Sequence, residues 1–107
     1  MHFAKLGSIE HFDYFISQNS LTLVSFSGYS VCPDFVWLLD HWANKFPSMV
    51  TVGILNAGTS PEIQMMYEKY EIEKVPTFIF FKNGQVVDKI DSRDPREVVD
   101  AIQKHGQ

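Results

Sequence analysis

Short runs of β-forming residues alternate along this chain with helical patterns, and three of the predicted helices begin at a proline. Proline fits the first turn of a helix because it has no N–H to donate, so Pro33, Pro61 and Pro95 each mark a helix start. A fourth helix is predicted after Ser8, where apolar residues recur every three or four positions. Strands that alternate with covering helices predict a sheet with parallel strands.

A hairpin follows in the second half of the chain. Asn83-Gly84 lies between two β-rich runs, and this dipeptide is typical of a tight hairpin turn because both residues accept a positive φ. The element order β-α-β-α-β-α-β-β-α predicts one α/β domain over residues 1–107, with a central mixed sheet of about five strands flanked by four helices. Strands are predicted at 3–6, 21–26, 50–55, 78–81 and 86–90.

Composition limits the partners of the chain. Its 107 residues include 45% hydrophobic side chains, and its net charge is -4. A basic face for phosphate backbones and an apolar stretch long enough to span a bilayer are both missing, so we expect neither nucleic acid nor a membrane as partner. The N-terminal residues Met1–Lys5 lack the apolar core of a secretion signal. The alternative is a mature secreted chain whose signal has been removed.

Histidine and sulfur usage predicts no metal site. The four histidines, at positions 2, 11, 41 and 105, have no metal-ligand spacing and are interpreted as surface imidazoles. Met65 and Met66 are expected to fill the core. Trp42 is also expected in the core, whereas Trp37 is expected on the surface. The only thiol, Cys32, fits a reducing compartment, which favours the cytoplasm, with the nucleus as a further location.

The run from Tyr67 to Gly84 carries a family resemblance. It places Val75-Pro76-Thr77 before an apolar strand and Phe-Lys-Asn-Gly after it, and in this it resembles the thioredoxins over nearly the whole chain. The resemblance implies the thioredoxin fold, with Pro76 as the cis-proline beside the active-site loop. The N-terminal thioredoxin-like domain of the multidomain monothiol glutaredoxins, the PICOT family, is the most similar group, since it shares this run and the Lys104-His105 ending. Phosducin-like or other inactive thioredoxin-like modules are the second most similar.

The chain departs from the thioredoxins at the redox motif. Thioredoxins have Trp-Cys-Gly-Pro-Cys where this chain has Ser30-Val31-Cys32-Pro33-Asp34. Counted forward from the preceding strand, the motif cysteines fall on Val31 and Asp34; counted backward from the helix, Cys32 takes the second position. A third register pairs Cys32-Pro33 with the Cys-Pro that opens a glutaredoxin helix. All three place Cys32 at or near a helix N-terminus.

Other parts of the thioredoxin redox apparatus are replaced. The buried acid of the family's central strand corresponds to Ser25, and its lysine partner corresponds to Ile54. Without this pair and a second cysteine, dithiol–disulfide turnover is blocked. The PICOT resemblance implies further glutaredoxin domains in the full-length protein, whose Cys-Gly-Phe-Ser motif holds a glutathione-ligated iron–sulfur cluster. That motif does not occur in this chain, so no cluster or other cofactor is assigned to it.

Two functions follow from the resemblance. The first is a protein-binding, adapter or regulatory domain of a monothiol-glutaredoxin-type protein, linked to redox and iron–sulfur homeostasis. The second is a glutathione-linked monothiol oxidoreductase with Cys32 as nucleophile. A helix N-terminus stabilises its thiolate, but the Asp34 carboxylate opposes this by a similar amount. Disulfide-linked dimerisation through Cys32 is a third alternative. The predicted groove for a protein partner comprises Tyr29, Ser30, Val31, Pro33, Asp34, Val75 and Pro76.

Overall fold

The computed structural model describes residues 2–107, so Met1, the first residue of the predicted domain and of the N-terminal stretch, lies outside the described residues. One sheet has the strand order β1-β3-β2-β4-β5. β1, β3 and β2 are parallel to one another. β4 pairs antiparallel with β2, and β5 pairs antiparallel with β4, which confirms the predicted mixed sheet with four helices. The strands are β1 Ala4–Lys5, β2 Thr22–Ser27, β3 Thr51–Asn56, β4 Thr77–Lys82 and β5 Gln85–Ile90. The helices are α1 Ile9–Ile16, α2 Pro33–Lys45, α3 Pro61–Lys69 and α4 Pro95–His105.

The helices cover both faces of the sheet. α2 and α4 pack on one face, through side chains such as Leu39, Trp42 and Ile102. α1 and α3 pack on the other face, through side chains such as Phe12 and Ile63. All six residues of β2 are buried, because this strand lies at the centre of the sheet with helices above and below it.

The hairpin turn explains where α1 ends. Asn83 and Gly84 both adopt a positive φ, as the Asn-Gly dipeptide predicts. Their backbone N–H groups donate to the carbonyl oxygens of Gln18 and Ile16, each at 2.8 Å. The turn therefore satisfies carbonyls at the C-terminal end of α1, and this helix stops at Ile16, earlier than the Asn19-Ser20 boundary that the sequence suggests.

Three details differ from the sequence predictions. Strand β1 is limited to Ala4–Lys5, because only these two residues pair with β3. Met65 is 60% exposed, and only its neighbour Met66 belongs to the core. The His105 ring is not an isolated surface imidazole, since its Nε2 lies 3.0 Å from the Asp88 carboxylate and joins α4 to β5. Trp42 is buried and Trp37 is exposed, as predicted.

Two further properties concern residues 2–107. Every helix in this part of the chain falls short of the length and apolar character that a membrane crossing needs. Within the same residues, no three His, Cys, Asp or Glu side chains come together in a way that could hold a metal ion.

Candidate functional site

A cleft of about 510 Å³ opens between the start of α2, the loop before β4 and the segment before α4. Its walls are predominantly apolar, and a few polar or charged side chains lie among them, which is the usual make-up of a binding pocket. The lining residues come from three separate parts of the chain: Ser27, Gly28, Ser30, Val31, Cys32, Asp34, Phe35, Leu38, Trp42, Val75, Pro76, Phe78, Arg93, Asp94 and Pro95.

The structure brings most of the predicted groove together. Ser30, Val31, Asp34, Val75 and Pro76 line the cleft, and Cys32 lies among them. These side chains meet because β2 and β4 are neighbours in the sheet, so the loop that leaves β2 lies beside the loop that enters β4.

Two predicted groove residues are placed elsewhere. Tyr29 is 84% exposed, and its ring lies against the loop after β3, so that a Cβ atom at Gly58 would come within 2.0 Å of it. Gly58 tolerates this close approach because it has no side chain, and its φ of +76° is also one that glycine adopts freely. Pro33 occupies the first turn of α2 and does not line the cleft. Tyr29 and Pro33 therefore do not line the cleft, although residues on either side of each of them do.

Cys32 is the N-cap residue of α2 and is exposed. Its carbonyl oxygen accepts the backbone N–H groups of Phe35 and Val36, at 3.1 and 3.2 Å. The thiol itself makes no capping hydrogen bond, whereas Ser8, at the start of α1, caps its helix through its hydroxyl. The thiol thus lies at the positive end of a helix dipole and at the wall of the cleft.

The loop before β4 forms another wall of the cleft. The peptide bond between Val75 and Pro76 is cis. The Thr77 hydroxyl donates to the Lys74 carbonyl oxygen at 2.7 Å and closes the loop around this bond. Val75, which is 42% exposed, lies near Gly28, where an added Cβ would contact its methyl group at 3.6 Å. An apolar side chain is therefore available at the rim of the cleft.

Hydroxyl groups occupy the protein interior below the cleft. The Ser25 and Ser27 hydroxyls lie 2.8 Å apart, and Ser25 pairs with Ile54 across the β2–β3 ladder. The Tyr67 hydroxyl donates to the carbonyl oxygens of Ser27 and Leu55, at 2.6 and 3.0 Å. Burial raises the pKa of Tyr67 well above its usual value, so the phenol stays protonated. In the part of the chain that the structure describes, the buried polar side chains are hydroxyl-bearing, and no buried carboxylate is present to relay a proton to a thiol.

Sequence reasoning missed the deep wall of the cleft and its far end. Phe35 stacks on Phe78 with ring centroids 6.0 Å apart, and Trp42 meets Phe78 edge-on at 5.6 Å. The helical spacing of Phe35, Leu38 and Trp42 indicates only a buried stripe, and it does not say that part of this stripe faces a cleft.

The segment before α4 was also missed. Arg93, Asp94 and Pro95 line the cleft, although they lie far from Cys32 in the sequence. Asp94 caps α4 by accepting the Arg96 N–H at 3.0 Å, and its carboxylate also binds the Arg96 guanidinium. These hydrogen bonds from Arg96 lower the pKa of Asp94 below its usual value. The only sequence signal here is the Asp-Pro helix start, which indicates a cap and not a binding site.

A mixed five-stranded sheet between two helix pairs, with a cis-proline facing the start of the second helix, defines the class of thioredoxin-fold proteins. The family model described as Thioredoxin matches residues 4–104, and the chain belongs to the thioredoxin family. The crystal structure of thioredoxin from Trypanosoma brucei brucei superposes with a TM-score of 0.82 at 19% identity, covering 95% of this chain and 88% of that one, which supports the fold.

Curated relatives include both glutaredoxins and thioredoxins. Glutaredoxin 3 from Danio rerio is 32% identical over 98% of this chain, and the chain spans 32% of that protein's length. Thioredoxin from Chlamydia pneumoniae is 33% identical, covering 94% of this chain and 97% of that protein. The predicted resemblance to thioredoxins and to glutaredoxin-related proteins is confirmed.

Proposed function

We propose that this chain is a protein-binding domain of adapter or regulatory type within a monothiol-glutaredoxin-type protein linked to redox and iron–sulfur homeostasis. The observation that carries the proposal is a complete cleft beside the cis-proline that contains only one thiol. Exchange between a dithiol and a disulfide needs a second sulfur to resolve the mixed disulfide, and this chain has one cysteine. The cleft can therefore bind a partner, but it cannot complete a dithiol cycle.

The similarity to Glutaredoxin 3 supports the larger setting of the domain. Because this chain spans 32% of that relative, we propose that glutaredoxin domains accompany it in the full-length protein. Any iron–sulfur cluster would then be held by those domains, and this chain would need no cofactor of its own. We propose a cytoplasmic location, with the nucleus as a further one, since a lone exposed thiol suits a reducing compartment.

An extended peptide is the occupant that this cleft suits. Val75 and Pro76 precede β4 at its wall, where a partner strand can pair with exposed backbone while its side chains enter the apolar cleft. The exposed methyl groups of Val75 offer apolar contact at the rim.

The proposal can be tested by selecting a displayed library of cysteine-free peptides on the chain. We expect the selected peptides to bind wild type and Cys32→Ser equally, because binding does not use the thiol. Val75→Arg should abolish binding, since it places a long charged side chain in the cleft. Val86→Arg is the matched control, because Val86 is 49% exposed and lies on β5, outside the cleft.

Two results would contradict the proposal. One is a set of binders that ignore Val75→Arg while circular dichroism shows that this variant is folded. The other is robust turnover of insulin disulfides by the wild-type chain with dithiothreitol, since this would require a complete redox site.

A second candidate, glutathione-linked monothiol catalysis, is favoured by the exposed Cys32 thiol at the N-terminus of α2. The Cys32 thiolate would attack the glutathione sulfur of a glutathionylated protein and release the protein thiolate, forming a disulfide between Cys32 and glutathione. A second glutathione thiolate would then release Cys32 and leave oxidised glutathione. A deglutathionylation assay distinguishes the candidates. Activity that Cys32→Ser abolishes would support catalysis, whereas equal background rates for wild type and Cys32→Ser would exclude it.

A further inference from the structure

We infer that the cleft takes a peptide segment in which a large aromatic side chain enters beside α2 and an adjacent acidic residue pairs with Arg93. This inference rests on the proposed function, and it adds the chemistry of the partner. The two observations that carry it are the aromatic wall of the cleft and the distribution of charge along its rim.

The wall favours an aromatic guest. Phe35 lines the cleft, is half-buried, and stacks on Phe78, which in turn meets Trp42 edge-on. Phe78 and Trp42 are themselves almost fully buried, so Phe35 provides most of the aromatic surface that faces the cleft. Aromatic rings attract one another in edge-to-face and offset geometries, so a guest ring against Phe35 gains more than an aliphatic side chain of similar area. A volume of about 510 Å³ lies in the range of pockets that bury a whole small ligand, so it can hold a ring and part of the peptide that carries it.

Among residues 2–107, the rim has one cation without an ion-pair partner, at the end next to α4. Of the charged residues there, Asp94 is already bound by the Arg96 guanidinium at 2.9 Å and by a backbone N–H. Arg93 is exposed, and among residues 2–107 no carboxylate forms an ion pair with it. At the opposite end, Asp34 is exposed and also lacks an ion pair within the described residues.

Arg93 therefore supplies the unpaired positive charge, and an arginine binds a carboxylate through two parallel hydrogen bonds. The overall charge of the chain opposes the binding of an acidic residue. A net charge of -4 repels acidic peptides in general, so a preference for an acidic residue has to come from a local cation. The location of Asp34 gives the bound peptide a direction, with its acidic residue toward α4 and any basic residue toward α2.

The test uses short fluorescein-labelled peptides of glycine, serine and alanine that carry Glu-Phe, Lys-Phe or Glu-Ala at the centre. Fluorescence anisotropy measures their affinity for wild type, Arg93→Glu and Lys104→Glu. Lys104→Glu makes the same change of charge in the last turn of α4, outside the cleft. We expect wild type to bind Glu-Phe about tenfold more tightly than the other two peptides. Arg93→Glu should reverse the preference between Glu-Phe and Lys-Phe, and Lys104→Glu should keep it.

Several outcomes overturn the inference. Equal affinity for Glu-Phe and Glu-Ala would exclude a preference for an aromatic side chain. A charge preference that survives Arg93→Glu would exclude the pairing of Arg93 with an adjacent acidic residue. Self-association of the free chain that Val75→Arg abolishes would assign the cleft to a second copy. If library peptides bind through the cleft without these preferences, only the inference fails. If no selected peptide responds to Val75→Arg, the proposed function fails as well.

Discussion

At the scale of single residues, Tyr67 connects three segments of the interior. Its hydroxyl, carried by α3, donates to the carbonyl oxygens of Ser27, at the end of β2, and Leu55, in β3. The Ser27 carbonyl also accepts the Ala57 N–H at 3.0 Å, so it keeps a partner even if the phenol is removed. Tyr67 therefore fixes the base of the loop that leads to Cys32.

Tyr67→Phe should lower the free energy of unfolding by about 1–2 kcal/mol at neutral pH, because it removes the buried hydroxyl shared by the Ser27 and Leu55 carbonyl oxygens. The pKa of Tyr67 is raised in the folded state, so its protonated form contributes stability that is complete below the unfolded value of about 10. This contribution is lost as the pH rises above that value. Above about pH 10, the free energy of unfolding measured in urea should fall more steeply for wild type than for Tyr67→Phe.

Tyr14→Phe is the control for this prediction, because Tyr14 is 71% exposed. Its free energy of unfolding should match that of wild type. Tyr70, whose pKa is also raised by burial, keeps its own contribution in both variants. An equal loss of stability in Tyr67→Phe and wild type at alkaline pH would contradict the assignment to Tyr67.

At the scale of elements, the caps distinguish the helices. Ser60 caps α3 by accepting the Ile63 N–H at 3.1 Å, whereas Cys32 begins α2 without a side-chain cap. A proline at the first position helps both helices begin where they do. The start of α2 is thus fixed by backbone geometry, and this leaves its N-cap side chain free to line the cleft.

Ser60→Ala should cost about 1 kcal/mol of unfolding free energy, because the first turn of α3 loses its acceptor. Cys32→Ser should not destabilise the fold, since a serine at this position can accept an N–H from the first turn of α2. Urea unfolding measures both changes. Ser20→Ala serves as the control, because Ser20 is exposed and precedes β2, and it should have little effect. A destabilised Cys32→Ser variant would contradict this prediction, because it would mean that the thiol makes packing contacts that stabilise the fold.

At the scale of the whole molecule, the sheet joins two cores. Side chains of β2 and β4 alternate between the faces: Leu23 and Phe80 contribute to the core under α2 and α4, and Val24 and Ile79 to the core under α1 and α3. Neither core can open without exposing strands that the other core buries. The domain should therefore unfold as one unit.

Phe12→Ala tests this coupling. Phe12 is fully buried on the α1 face, where its ring meets those of Phe26, Tyr70 and Phe81. Its removal should cost about 3–5 kcal/mol, because it leaves a cavity. Trp42 lies in the opposite core, yet its fluorescence transition should move with the far-UV circular dichroism transition. A fluorescence transition that stays at its wild-type midpoint while circular dichroism shifts would show two independent cores.

Much of this architecture could be read from local patterns. Each proline-marked helix start is found at the predicted residue, since capping and a missing N–H act on neighbouring positions alone. The Asn83-Gly84 hairpin follows for the same reason, because positive φ is a property of the residues themselves. Helix ends were less predictable, as α1 shows, because a turn from a distant hairpin takes up its carbonyls.

The sequence by itself determined the order of elements, the hairpin and the presence of a single thiol at a helix start. Tertiary structure alone decided which side chains share a cleft with that thiol. Arg93 and Phe78 join Cys32 because the sheet order sets β2 beside β4 and the segment before α4 next to the start of α2. Tyr29 lies outside the same cleft, because its ring packs against Gly58 on another loop. Propensity and capping are short-range effects, whereas a cleft is formed by residues that only the packed fold brings together.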